Sequence, residues 1–114
     1  MTNFVKKKLS GSVRYVKYSE AKPGDVLVIG TFQGTEQVPA YDPKQGLVPQ
    51  HSFVDEDEQI VKLNSAGQLN YALKNATPGQ MIEVIYLGKE KVKTKTGRLV
   101  EANQFEVNAL EAAE

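Results

Sequence analysis

The sequence predicts an all-β domain: a five-stranded barrel with one short helix between its third and fourth strands and an extra strand on the N-terminal side. Three observations carry that expectation. Runs rich in β-branched and aromatic residues recur along the chain, separated by Gly, Pro, Asn and Asp. A single segment, 64–75, spaces its apolar residues with the period of a helix. One run, Val26 to Phe32, is nearly all apolar, as a strand covered on both sides must be.

The chain has 114 residues, 40% of them hydrophobic and 25% charged, enough for one domain, 1–114, with a single core. It has no cysteine, so disulfides and thiolate chemistry are excluded. Residues 1–8 lack the apolar stretch of a secretory signal, and no apolar run approaches the roughly 20 residues of a membrane helix. A cytoplasmic protein that avoids membranes is expected.

In order, residues 1–10 are expected as a flexible basic arm in which Lys6, Lys7 and Lys8 either contact phosphate or are simply solvated. Ser12 to Ser19 is a strand by composition, and alternation puts Val13, Tyr15 and Lys17 on one face, with Arg14, Val16 and Tyr18 on the other. Lys22-Pro-Gly-Asp25 is a turn. The strand at 26–33 contains Gly30, which suggests a bend or bulge. Gly34 to Gln50 is loop by chemistry, and Tyr41 within it either stacks a base or packs on the barrel. His51–Val54 and Gln59–Leu63 form a hairpin around the acidic turn Asp55–Glu58. That turn lacks the Gly and Glu spacing of a calcium loop, so it is expected to guard an edge against aggregation. In the helix, Asn64 or Ser65 caps, Ala66, Leu69 and Leu73 form the apolar stripe, Asn70 and Lys74 face outward, and Tyr71 is structural. Strands at 80–88 and 101–108 follow, joined by an arm, Lys89–Val100, and the chain finishes in a short acidic segment, 109–114.

Net charge is zero but unevenly spread: +5 over residues 1–19, −5 over 20–86, +4 over 87–98 and −4 over 99–114. Two basic segments on an acidic body suggest a polyanion-binding surface. Within the arm, Lys89, Lys91, Lys93 and Lys95 recur at every second position. In extended backbone all four leave one face, where they repel one another until an anion lies along them.

Five strands with a helix between the third and fourth is the element order of the OB-fold barrel, which binds nucleic acid through strands 2 and 3 and the loops joining strands 1–2 and 4–5. Here those loops are Gly34–Gln50 and Lys89–Val100. The segments Pro23-Gly-Asp-Val-Leu-Val28, Val61-Lys-Leu-Asn-Ser-Ala-Gly-Gln-Leu-Asn-Tyr71, Pro78-Gly-Gln80, Ile85-Tyr-Leu-Gly-Lys89 and Gln104-Phe-Glu-Val107 resemble small bacteriophage OB-fold single-stranded DNA-binding proteins over about residues 13–108. The resemblance implies a non-enzymatic DNA-coating protein of phage replication or recombination, acting in the host cytoplasm. Such proteins often carry a longer acidic tail that recruits partners; here only Glu106, Glu111 and Glu114 stand in that place.

The expected mechanism is single-stranded DNA binding with little sequence preference. Arg14, Lys17, Lys44, Lys89, Lys91, Lys93, Lys95 and Arg98 neutralise phosphates, and Tyr15 and Tyr41 stack bases. Tyr18, Phe32, Phe53 and Tyr86 are further stacking candidates; of these six rings the core must claim at least half, and Phe105 is assigned to the core. The alternative is an OB-fold adaptor whose arm docks on an acidic replication or recombination protein, and self-association is open. An enzyme is disfavoured: His51 is the one histidine, no P-loop is present, and the sequence suggests neither a cofactor nor a metal site.

Overall fold

The computed structural model describes residues 13–111. The basic segment 1–10 and the last residues of the acidic end lie outside them. Six strands form one sheet: β1 (Val13–Tyr15), β2 (Val26–Pro39), β3 (Leu47–Asp55), β4 (Ile60–Asn64), β5 (Met81–Lys93) and β6 (Leu99–Ala109), with helix α1 (Gly67–Ala72) between β4 and β5. The strand order is β1-β4-β3-β2-β5-β6, antiparallel throughout except for the parallel β1–β4 pair. Among the described residues the expected ladder closure into a barrel is not present: β1 and β6 are both edges.

The sheet nevertheless curls. Arg14 on β1 donates from Nη2 to the Leu27 carbonyl of β2 at 3.2 Å, although two strands separate β1 from β2 in the sheet. The strand expected over 12–19 stops at Tyr15 because the chain then turns inward. Val16 is buried, and a 3₁₀ turn, Tyr18–Glu20, carries the Tyr18 ring across to Tyr86 and Phe105 on the far side, at centroid distances of 6.4 and 5.1 Å. The Tyr18 hydroxyl donates to the Asn64 carbonyl, and burial pushes its phenol far above the usual range. Helix α1 fills the remaining gap. Leu69 and Leu73 are buried, each contributing about 2 kcal/mol by leaving water. The Gln68 side chain accepts from the Phe105 N–H, covering that part of the β6 edge. Contacts between side chains and this segment thus complete a core that no backbone ladder closes.

Asn70 corrects the expected outward face of the helix. Its Oδ1 lies 2.8 Å from His51 Nε2, and its Nδ2 donates to Ser65 Oγ at 2.9 Å. Neither Asn64 nor Ser65 caps the helix by side chain; Ala66 is the N-cap. Tyr71, expected to be structural, is exposed.

Two hairpins outrun the sheet. The Gly34–Gln50 segment is not a loop: β2 runs to Pro39 and β3 starts at Leu47, because Thr35–Val38 and Val48–His51 pair residue for residue across the hairpin. Likewise the Lys89–Val100 arm is mostly strand, the outer part of the β5–β6 hairpin. β5 pairs with β2 only over Met81–Ile85, so the two hairpins leave in opposite directions along an antiparallel pair. The molecule measures 66 × 42 × 26 Å. Gly30, expected at a bend, serves close approach instead: a Cβ there would sit 2.5 Å from the Val54 carbonyl oxygen. The bulges fall at Leu27, Gln33 and Leu87. No helix among the described residues is long and apolar enough to cross a membrane.

Candidate nucleic-acid interface

The Leu87 bulge decides where the lysines point. Tyr86 pairs with Phe105 and Gly88 with Gln104, leaving Leu87 without an opposite residue. Strand faces alternate, so one extra residue swaps the face of everything after it. Before the bulge the even residues Ile82, Val84 and Tyr86 are buried. After it the odd residues take that face: Lys89, Lys91 and Lys93 lie opposite Asn103, Glu101 and Leu99. Asn103 shares the face of Phe105, and the Tyr86 hydroxyl donates to Asn103 Oδ1 at 2.8 Å. The lysine row therefore continues the concave face of the sheet outward into solvent.

Gly88 makes the swap sterically possible. Its φ of 100° is left-handed, and a Cβ would meet Pro23 Cγ at 3.1 Å. Pro23 belongs to the Lys22–Asp25 turn, whose backbone binds Tyr86 on both sides: Gly24 N–H donates to the Tyr86 carbonyl at 2.7 Å, and Tyr86 N–H to the Asp25 carbonyl at 2.8 Å. The arm is anchored at its root by this turn.

Lys95 departs from the expected row. Thr94 N–H donates to the Arg98 carbonyl, Gly97 N–H donates to the Thr94 carbonyl, and Gly97 has φ 83°. This is a three-residue hairpin loop with Gly at the left-handed position. Lys95 sits in the loop and Arg98 just past it, at the arm's tip rather than on its face. All five cations are exposed, and none is ion-paired to a described residue. Glu101, which the sequence reading did not single out, is the acid on the lysine face, directly across from Lys91. Its position depends on the register set by the bulge, and only Gly88 after an apolar run hints at that in the sequence.

At the root of the arm, Arg14, Tyr15 and Lys17 gather around an open cavity of about 500 Å³ that Glu20, Asp25 and Val26 also line. Asp25 belongs to the turn that anchors the arm and accepts from the Tyr86 N–H, so this cavity lies near the strand from which the arm departs. Tyr15 is 58% exposed there. Tyr41 and Lys44, by contrast, lie at the tip of the β2–β3 hairpin, at the opposite end of the molecule. The structure does not bring them to the arm. Of the other rings, Phe32, Phe53, Tyr86 and Phe105 are core, and Tyr18 is packed against it, so none of these is free to stack a base.

His51 is buried between Thr35 and Asn70, with Nδ1 2.8 Å from Thr35 Oγ1 and Nε2 2.8 Å from Asn70 Oδ1. Asn70 Oδ1 can only accept, which places the ring proton on Nε2 and leaves Nδ1 to accept from Thr35. Burial lowers the His51 pKa, and the Asn70 bond offsets part of that. Among the described residues no group of three or more His, Cys, Asp or Glu is placed to hold a metal ion. The chain matches no family model, no curated protein and no solved structure.

Proposed function

We propose that this chain binds single-stranded DNA with little sequence preference, in the manner of the small OB-fold proteins with which bacteriophages coat and protect DNA during replication or recombination. The observation that carries the reading is the row Lys89, Lys91, Lys93: exposed, on one face, and free of ion pairs with described residues. Three ammonium groups at the two-residue repeat of a strand recur about every 7 Å, and together they attract a flexible polyanion. Arg14 and Lys17 at the arm's root extend the track, and Tyr15 offers a face for one base. The fold supports the reading as well. Strands β4-β3-β2-β5-β6, with a helix between β4 and β5, follow the OB-fold order apart from the missing closure of the ladder. The action is binding without turnover, in the host-cell cytoplasm, with phage or host replication and recombination proteins as neighbours.

One observation favours the adaptor reading. Leu99 and Val100, on the return strand of the arm, are exposed apolar residues beside the cations, a mixture that suits a protein partner with an acidic rim. Anisotropy of a labelled oligo-dT across a salt series separates the two. Changing Lys89, Lys91 and Lys93 together to Ala should weaken binding at low salt by about 10- to 100-fold and reduce the log–log salt slope by about 2. Unaltered affinity in that variant would remove DNA as the arm's ligand and leave the adaptor.

A further inference from the structure

Among the described residues, no strand lies beside the outer edge of β6. The ladder shows which backbone groups that edge leaves over. Thr94 N–H donates to the Arg98 carbonyl at 2.8 Å, so these two form a hydrogen-bonded pair at the end of the hairpin. Antiparallel pairs alternate between bonded and unbonded. Counting back from the loop, Val92–Val100 and Glu90–Ala102 carry the ladder bonds, whereas Lys91–Glu101 and Lys89–Asn103 carry none. Glu101 and Asn103 therefore turn their N–H and C=O groups away from β5. Phe105 turns the same way, and there the Gln68 side chain takes the N–H. The edge is thus closed at the root of the arm and open beyond it.

The side chains along the open edge are unspent as well. The Tyr86 hydroxyl occupies Asn103 Oδ1, while the Asn103 Nδ2 protons have no partner among the described residues. The Glu101 carboxylate has none either. Leu99 is 64% exposed and Val100 36%. Natural sheets blunt open edges with lysine. The outer part of β5 carries Lys89, Lys91 and Lys93, but β6 carries no cation from Leu99 to Ala109.

We infer that this edge takes the same edge of a second copy of the chain, antiparallel about a twofold axis at Ala102. Glu101 of each copy then stands opposite Asn103 of the other. Their backbones exchange N–H···O bonds, and each free Asn103 amide meets a carboxylate. The competing arrangements fail on charge, backbone bonding or space. Centring the pair on Glu101 sets the two carboxylates against each other, and centring it on Asn103 sets Glu101 against Phe105, whose N–H is taken. Centring it on Val100 sets Asn103 against the loop and leaves its amide unpaired. A twofold β5–β5 pair sets lysine against lysine. Joining β5 of one copy to β6 of the next, antiparallel, places the arms about 10 Å apart with their tips in one direction. The molecules, 26 Å across at their narrowest, would then collide. The twofold β6 pair instead puts the two bodies at opposite ends of a four-stranded ribbon, with both lysine rows on one face. So short a pairing buries less than the about 1,200 Å² of a stable complex, so the pair is weak and is best captured covalently.

The chain has no cysteine, so single introduced thiols report the contact cleanly. Unbonded partners across an antiparallel pair have Cα atoms about 4.5 Å apart, within the about 4.4–6.8 Å that a disulfide spans. The full chain carrying Ala102→Cys, oxidised with diamide, should form a disulfide dimer at least about 10-fold faster than the chain carrying Val92→Cys. Val92 lies on the same face of β5, and in the paired ribbon it is three strands from its mate. Adding Glu101→Pro to Ala102→Cys removes an outward N–H that β5 does not use, so the hairpin survives and crosslinking should fall to the Val92→Cys rate. Circular dichroism checks that fold. Equal rates for Ala102→Cys and Val92→Cys would overturn the proposal, as would faster crosslinking of Val100→Cys, because the axis would then lie elsewhere. A rate unaffected by Glu101→Pro would also refute it, since the copies would then meet by a face and not by this edge. No DNA enters the experiment, so its outcome is independent of the DNA-binding reading.

Discussion

The β2–β3 and β5–β6 hairpins each leave the sheet just after an extra residue, Gln33 in one and Leu87 in the other, and each goes on as a two-stranded ribbon. In both, the extra residue turns odd-numbered positions toward the concave face. On β2 that face then carries Thr35, Gln37 and Pro39; on β5 it carries Lys89, Lys91 and Lys93. One backbone device thus serves two chemistries. The neutral ribbon is anchored by a buried polar link, Thr35 to His51 to Asn70, and finishes in an ordered loop with an exposed ring. The charged ribbon is anchored by a turn against Tyr86 and finishes in three loop residues. Charge acts at a distance and needs no cavity, so a bare ribbon suffices for it. The β2–β3 tip instead borders a cavity that Asn64 and Ser65 of the β4–α1 junction also line.

The largest effect should come where the two hairpins share a root. Gly30 pairs with Asp55 of β3 on one side and with Ile82 of β5 on the other. A Cβ at 2.5 Å from the Val54 carbonyl oxygen cannot be absorbed by a side chain, since the obstacle is backbone. Gly30→Ala should cost about 3 kcal/mol in urea unfolding, and binding by the arm should weaken with it. A loss below about 1 kcal/mol would mean that the hairpins are more independent than their common strand implies.

The next variant strikes the neutral hairpin alone. His51→Leu removes both hydrogen bonds of the buried imidazole, to Thr35 and to half-buried Asn70, at a cost of about 2 kcal/mol. The parent's pH dependence supplies a second reading. The unfolded imidazole takes its proton near pH 6.5, and the folded one, desolvated, takes it at lower pH. Between those values the unfolded state binds more protons. The stability tied to His51 is therefore complete above about pH 6.5 and falls on acidification, by at most about 1.4 kcal/mol per pH unit. His51→Leu should flatten the fall below about pH 6.5. An unchanged slope would assign the acid sensitivity to other groups.

That histidine also marks how far the sequence could be read. The strand around His51 is legible from its neighbours, whereas the apolar stripe of the helix points its partner Asn70 outward. Helical periodicity ranks apolar positions and says nothing about a polar side chain buried to meet another. The strand identities and the place of the helix were legible from β-branched runs and from Leu69 and Leu73. The open edges were not, because ladder closure depends on where the segment after Tyr15 goes, and Val16 and Tyr18 leave the sheet for the core. The hairpin at 34–50 is hidden in the sequence for a related reason. Pro39, Asp42-Pro43, Gly46 and Pro49 are turn formers, yet Pro39 and Pro49 lie in the outer, two-stranded part of the hairpin, where strand prolines are tolerated. For the arm, the alternation of Lys89, Lys91 and Lys93 was visible, whereas the face they occupy and their acidic neighbour needed the register.

Gly88→Ala probes that register directly. The left-handed φ and the approach of Pro23 at 3.1 Å should cost about 1–2 kcal/mol, less than the His51 change because the Pro23 ring is able to give way. If the variant relaxes by losing the bulge, Lys89, Lys91 and Lys93 swing to the other face and the salt slope for oligo-dT drops with no lysine removed. Stability lost with an unaltered slope would show the bulge surviving without its glycine.

The smallest effect tests the charged face from the opposite sign. Glu101 stands across the ladder from Lys91, with Lys89 and Lys93 flanking, and is not within ion-pair distance of them. A phosphate over Lys91 meets that carboxylate, so Glu101→Gln should strengthen binding about 3-fold at low salt. The gain should fade as the screening length shrinks to about 10 Å near 0.1 M salt. Stability should stay within about 0.5 kcal/mol, since the residue is exposed. Weaker binding by Glu101→Gln would reverse the picture: the carboxylate would be holding Lys91 in place for its ligand, and the ribbon would be a shaped site rather than a row of independent charges.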